Sequence, residues 1–152
     1  MRFLIAASVL ILGASAALPE EYTKKVLKKM EEVGTKCSDQ EHATPDDMAE
    51  LITHKFPPTS HEARCVLACF YKELHMMKED GSFDKEATVK SFDEIKALDA
   101  ELHGKILKVI DACEAKMQVF DDACESASSM ATCVVTEMAA VGLTKEAFLG
   151  SS

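Results

Sequence analysis

Apolar residues recur at three- and four-residue steps along nearly the whole chain, punctuated by a few capping and breaking signals. Leu18-Pro19-Glu20-Glu21 opens the first such run, because proline suits a first helical turn and two acids suit the positive end of the helix dipole. Tyr22, Val26, Leu27, Met30 and Val33 follow, with Lys24, Lys25, Lys28 and Lys29 mostly on the other side and Gly34 as a stop. Thr44-Pro45-Asp46-Asp47 is a capping threonine, a first-turn proline and an acid three residues on. It launches a second helix through Met48, Leu51 and Ile52 that ends before Pro57-Pro58. Thr59-Ser60-His61-Glu62 repeats the signature for a third helix, with Val66, Leu67, Phe70, Tyr71, Leu74 and Met77 up to the break at Asp80-Gly81. Asp84 caps a fourth segment (Ala87, Val89, Phe92, Ile95, Leu98) and Asp99 a fifth (Leu102, Ile106, Val109, Ile110, Cys113, Met117). A sixth runs from about Asp122 through Cys124, Ala127, Met130, Cys133, Val134 and Met138 to Gly142. No alternating β-branched run competes, so the expected fold class is all-α, a compact six-helix domain.

The first 16 residues differ from the rest: one cation, Arg2, then a short apolar run and a small-x-small end. They read as a secretory signal peptide, which divides the chain into residues 1–16 and a domain over residues 17–152. No later stretch is long and apolar enough to anchor in a bilayer, so the expected location is extracellular fluid. With 17 Lys plus Arg against 26 Asp plus Glu, the formal charge is −9, and losing Arg2 makes it more acidic; a nucleic-acid partner is disfavoured.

Six cysteines, Cys37, Cys65, Cys69, Cys113, Cys124 and Cys133, all follow the signal. In an oxidising compartment an even set implies three disulfides. A metal site on His61, Cys65 and Cys69 is the weaker reading, since structural zinc sites usually repeat a close cysteine pair and this chain has one. Helical phase removes two bridges. Cys65 and Cys69 lie one turn apart, too far for a disulfide, and Cys124 and Cys133 point to opposite faces of one helix. Of the fifteen possible pairings, ten remain.

The cysteine intervals of 27, 3, 43, 10 and 8 residues resemble the six-cysteine signature of insect odorant-binding proteins, in which the intervals of 3 and 8 are diagnostic. The stretch His61-Glu62-Ala63-Arg64-Cys65-Val66-Leu67-Ala68-Cys69, leading into Lys78-Glu79-Asp80-Gly81-Ser82-Phe83, looks like that family's third helix and following turn. The resemblance implies three disulfides, Cys37 with Cys69, Cys65 with Cys124 and Cys113 with Cys133, around an apolar cavity. It also implies ligand contacts at Leu67, Tyr71, Met76 and Met77, at Phe83 and Phe92, at Leu107 and Ile110, at Val134, and at Met30, Leu51 and Ile52. Phase agrees on the third helix: Leu67, Tyr71 and Leu74 lie some 200° round from Cys65 and face away from the bridged side.

Nothing in the chain suggests an enzyme: there is no Gly-x-Ser-x-Gly, no His-Glu-x-x-His and no phosphate-cradling glycine loop. No cofactor and no metal is expected. A saposin-type lipid module is the alternative, but its cysteine spacing starts with an x2 pair that is absent here. Eight Met and seven Phe without a Trp, Met1 and Phe3 falling in the leader, suit an adaptable apolar pocket, although a methionine at helical spacing also serves as plain core. The expected function is therefore carriage of a small hydrophobic ligand, an odorant or pheromone, through aqueous lymph, with Tyr71 as the hydroxyl that orients it. An olfactory receptor is the implied partner at release, and the carrier is expected as a monomer or weak homodimer. Release is expected to involve two elements: the apolar tail Val141 to Ser152 as a lid, and His75 beside Met76 as a proton switch.

Overall fold

The structure, a computed structural model, describes residues 18–143; the expected signal peptide and the tail beyond Leu143 lie outside the described residues. Within them the chain forms α1 (Glu20–Gln40), α2 (Pro45–Ile52), α3 (His61–Glu73), α4 (Lys85–Ser91), α5 (Asp93–Leu98), α6 (Ala100–Lys116) and α7 (Ala123–Ala140). All six expected segments are present, the fourth as two short helices that meet at Phe92. One antiparallel bridge, Met77 to Phe83, closes the turn between α3 and α4. No described helix is long and apolar enough to cross a membrane.

Several helix starts follow their capping residues. The Thr44 and Asp47 side chains each accept the other's backbone N–H, with Pro45 at the first helical position. Ser60, Asp84, Asp99 and Asp122 accept from the first turns of α3, α4, α6 and α7. Two ends differ from expectation. Helix α1 runs through Gly34 to Gln40, because Val33 (4% exposed) and Cys37 (0%), one turn apart, are buried against α3; that burial outweighs the ~1 kcal/mol a mid-helix glycine costs. Helix α3 stops at Glu73, seven residues before the Asp80-Gly81 break.

The reason lies in the backbone at three histidines. His42, His54 and His75 take left-handed φ values of 54°, 56° and 58°, and Gly142 takes 73°. Each sits just past a helix, where its N–H donates to a carbonyl three residues back while the next residue's N–H reaches five back. These bonds run His42 to Asp39 and Ala43 to Ser38, His54 to Leu51 and Lys55 to Glu50, His75 to Lys72 and Met76 to Tyr71, and Gly142 to Ala139 and Leu143 to Met138. This is the Schellman closure, with histidine in the usual glycine position at three of the four ends. The motif turns its last residue back onto its own helix, and at three ends that residue is apolar and packed on a core cluster: Ala43 after α1, Met76 after α3 and Leu143 after α7.

The core centres on α3 and α7. Small residues let them approach closely: Ala63 (0% exposed) and Ala68 on α3, with Ser126 (0%), Ala127 (0%) and Ala131 on α7. The Ser126 hydroxyl accepts from the Phe120 N–H at 2.8 Å and donates to the Phe120 carbonyl at 3.2 Å, so its burial leaves neither its donor nor its acceptor stranded. Cys65 bridges to Cys124 with a Cα separation of 4.5 Å, and Arg64 Nη1 meets Glu125 Oε1 at 2.7 Å beside it. Cys37–Cys69 ties α1 to α3, and Cys113–Cys133 ties α6 to α7. These are the pairings the family resemblance implies. Gly81, at φ 83°, nests against α7, where a Cβ would come within 3.2 Å of Ala123.

The loop from α2 to α3 is held by acids of α2. Glu50 accepts from the Thr59 N–H (2.9 Å), the Thr59 hydroxyl (2.7 Å) and Lys55 (3.0 Å), and these bonds, the Thr59 N–H first, push its carboxyl down to about 2. A carboxyl lowered on folding stabilises fully above its unfolded value of 4.5 and loses that contribution as pH falls toward 2. Glu50→Gln should therefore melt lower at neutral pH and show a shallower loss of melting temperature across that acid window; parallel curves for the two proteins would remove Glu50 from this role. At the end of α3, His75→Gly should leave stability unchanged or raise it by up to ~1 kcal/mol, while the β-branched His75→Val should lower it. Urea unfolding ranks the three, and a destabilised glycine variant would contradict the left-handed assignment.

Candidate functional site

A partly enclosed cavity of about 110 Å³ lies between α3, α4, α6 and α7. Helix α6 supplies a stripe at three- and four-residue steps, Ile106, Val109, Ile110 and Cys113, continued by Met117 just past its end. Helix α7 supplies Met130, Val134 and Met138, spaced four apart on one face. Tyr71 comes from α3, Thr88 from α4, Phe92 from the break between α4 and α5, and Phe83 from the bridged turn. The Schellman closures of α3 and α7 deliver Met76 and Leu143 into the same wall.

The surface facing this space is apolar throughout, so Tyr71 and Thr88 present carbon to it. The Thr88 hydroxyl is turned onto its own helix, donating to the Asp84 carbonyl at 2.7 Å. Burial raises the Tyr71 phenol well above its ordinary range, with no hydrogen bond contributing. The expectation that the Tyr71 hydroxyl orients the ligand is therefore corrected: at the cavity surface Tyr71 is a ring.

Of the sequence-predicted contacts, Tyr71, Met76, Phe83, Phe92, Ile110 and Val134 converge on the cavity. Leu67 and Met77 are buried in the α3–α7 cluster instead, with Leu51 packed against it, and Leu107 packs on the cluster around Ile95 and Leu102. Met30 is 45% exposed and Ile52 68% exposed, outside the wall. The cause for Met30 is that α1 is anchored only at its two ends, by Tyr22 on the α5–α6 cluster and by Val33 and Cys37 on α3, which leaves its middle uncovered. Ile52 is the last residue of α2, beyond that helix's packing against α3. The wall residues that the sequence reading missed, Thr88, Ile106, Val109, Cys113, Met117, Met130, Met138 and Leu143, had a signal in part. Phase carried outward from Ile110 and Val134 at steps of three and four reaches those on α6 and α7.

His75 is exposed at its helix end and not in the wall, which corrects its expected place at the ligand. The buried histidine is His103 on α6, whose Nε2 has no hydrogen-bond partner among the described residues. The expected tail lid begins at Val141 and Leu143, which pack on the core; its remainder lies outside the described residues. The sulfurs of Cys65 and Cys69 are consumed by their bridges, so the alternative metal site has no thiolates. His61, Asp122 and Glu125 do bring ligand atoms within 4.8 Å of one another, but Glu125 is already held by Arg64.

A helical domain stapled in this pattern around an apolar cavity can be compared with known proteins. Residues 19–137 match the PBP/GOBP family. The chain belongs to this family of insect odorant-binding proteins. It is 31% identical to general odorant-binding protein 19d of Drosophila melanogaster over 146 residues, covering 96% of this chain and 95% of that one. It is 28% identical to general odorant-binding protein 28a of the same fly over 140 residues, covering 92% and 96%. Among solved structures, the Drosophila melanogaster odorant-binding protein dmelOBP28a superposes with a TM-score of 0.68 at 29% identity, over 80% of this chain and 99% of that one. The fatty acid binding protein OBP56a from the oral disk of the blowfly Phormia regina shares the fold, with a TM-score of 0.58 at 15% identity over 82% and 98%. Odorant-binding proteins are carriers of small hydrophobic ligands and not enzymes.

The division between cavity wall and neighbouring core makes a prediction. Phe92→Ala should weaken binding of an apolar ligand about tenfold, whereas Leu107→Ala, outside the wall, should change stability more than affinity. Equal losses of affinity, measured by fluorescence titration, would show that the wall is drawn in the wrong place.

Proposed function

We propose that this chain is an extracellular carrier that takes small apolar molecules, odorants, pheromones or similar semiochemicals, into the cavity between α3, α4, α6 and α7. Residues 1–16 serve as its secretory signal and residues 17–152 as the carrier domain. The observation that carries the reading is a cavity lined wholly by carbon and sulfur in a chain of this family. Such a wall gives a polar ligand nothing to replace its hydration, while each Å² of apolar ligand surface moved out of water gains ~25 cal/mol.

The cavity volume of about 110 Å³ is below the roughly 150 Å³ at which a dry apolar cavity accepts benzene, so most odorants require it to widen. Four of its wall residues, Met76, Met117, Met130 and Met138, are unbranched thioethers that change rotamer at small cost. That property supports a carrier of several related ligands over one tuned to a single shape. The wall residues act as contacts only; no group in the cavity is placed to do chemistry on the ligand.

The test is titration of the secreted protein with the apolar fluorophore aminoanthracene. One site per chain at about micromolar affinity, some −8 kcal/mol, is expected, with displacement by aliphatic and aromatic volatiles. Lysis of anionic liposomes without fluorophore binding would instead support a saposin-type module.

A further inference from the structure

A second hollow, a surface groove of about 450 Å³, runs between the 117–120 segment and α7. Met117 lines both this groove and the internal cavity. Beside it, Cys113 lines the cavity and its disulfide partner Cys133 lines the groove. Met117 and this disulfide thus lie between the two spaces at the end of α6, while α7 separates them along its length, with Ser129, Thr132 and Thr136 on the groove and Met130, Val134 and Met138 on the cavity. The disulfide is fixed, and so is the backbone around Met117. The Met117 N–H donates to the Cys113 carbonyl at 2.9 Å, the Gln118 N–H to the Ser129 hydroxyl at 3.0 Å and the Phe120 N–H to the Ser126 hydroxyl at 2.8 Å. What can move is the Met117 side chain, a half-buried thioether with three rotatable bonds.

The two spaces differ in chemistry. The cavity offers no polar atom. The groove is edged by Lys116, Gln118, Ser129, Thr132, Thr136 and Glu137. Its cation is spent, Lys116 meeting Glu137 at 2.6 Å. The Thr132 and Thr136 hydroxyls donate to the Ser128 and Thr132 carbonyls at 2.8 and 2.9 Å, which leaves their oxygens free to accept.

We propose that groove and cavity are one binding site divided by Met117, whose fitting occupant is a straight-chain amphiphile with a hydroxyl head: the hydrocarbon chain in the cavity, the hydroxyl donating to the acceptors of the groove. Swinging Met117 aside joins the spaces into a site of several hundred Å³, the size that ligand pockets usually have. A carboxylate head suits the groove less well, because Glu125 and Glu137 border it and no unpaired cation offsets their charge. This inference rests on the carrier reading and adds the route and the head-group site.

Displacement of aminoanthracene from the full chain by hexan-1-ol and dodecan-1-ol tests it. Dodecanol is expected to bind more tightly than hexanol and than dodecanoate. Met117→Trp, which thickens the partition, should weaken dodecanol about tenfold and hexanol, which meets Met117 only as part of the cavity wall, by a clearly smaller factor. Thr132→Val, which keeps the shape and removes the acceptor, should weaken dodecanol about threefold and not hexanol. If either variant affects both alcohols equally, or neither, or if dodecanoate outbinds dodecanol, the joined site is overturned while the carrier reading stands. Failure of the fluorophore and of both alcohols to bind the unaltered protein overturns the carrier reading itself.

Discussion

The close approach of α3 and α7 is the constraint from which the rest of this structure follows. Alanine and serine at the contact bring the two backbones near enough for Cys65 and Cys124 to bridge at a Cα separation of 4.5 Å, and a larger residue at Ala127 or Ser126, both fully buried, would force them apart. With that pair clamped, α3 also holds α1 through Cys37–Cys69, and α7 holds α6 through Cys113–Cys133. Each bridge contributes on the order of 2 to 5 kcal/mol. Their arrangement matters more than their sum, because α4 and α5 are left unstapled over a space whose other walls are fixed.

That combination of rigid and adaptable parts accounts for the character of the cavity. Its frame is covalent, and two of its wall residues, Met76 and Leu143, are placed by backbone hydrogen bonds at helix ends. Its filling is the reverse: four methionines and two phenylalanines, which repack around different shapes. Close-packed aliphatic walls would resist a ligand, since interiors at native density give little without strain. A carrier needs walls that give while the fold does not.

The histidines illustrate how a functional reading can be displaced by a backbone one. Exposed His42, His54 and His75 each occupy the left-handed position that closes a helix, a conformation histidine tolerates better than most residues with a Cβ. The buried histidine is His103, whose Nε2 has no hydrogen-bond partner among the described residues. No sequence signal separates the two situations, because neither the sign of φ nor burial follows from residue type alone.

Local chemistry determined the helices from the sequence. The Thr44-Pro45-Asp46-Asp47 box and the Asp84, Asp99 and Asp122 caps act through hydrogen bonds to residues two or three positions away, and the cysteine intervals matched those of a known family. The sequence also located part of the cavity wall: helical phase turned Tyr71 away from the bridged side of its helix, and the family resemblance pointed to Ile110 and Val134. Tertiary structure decided whether α1 would cross Gly34, because the burial of Val33 and Cys37 depends on α3 being there. It decided that Leu67 and Leu107 are core while Ile106, Met130 and Met138 are wall. A helix's apolar stripe is wider than the face it turns to any one neighbour, and only the positions of all the neighbours divide that stripe between packing and empty space.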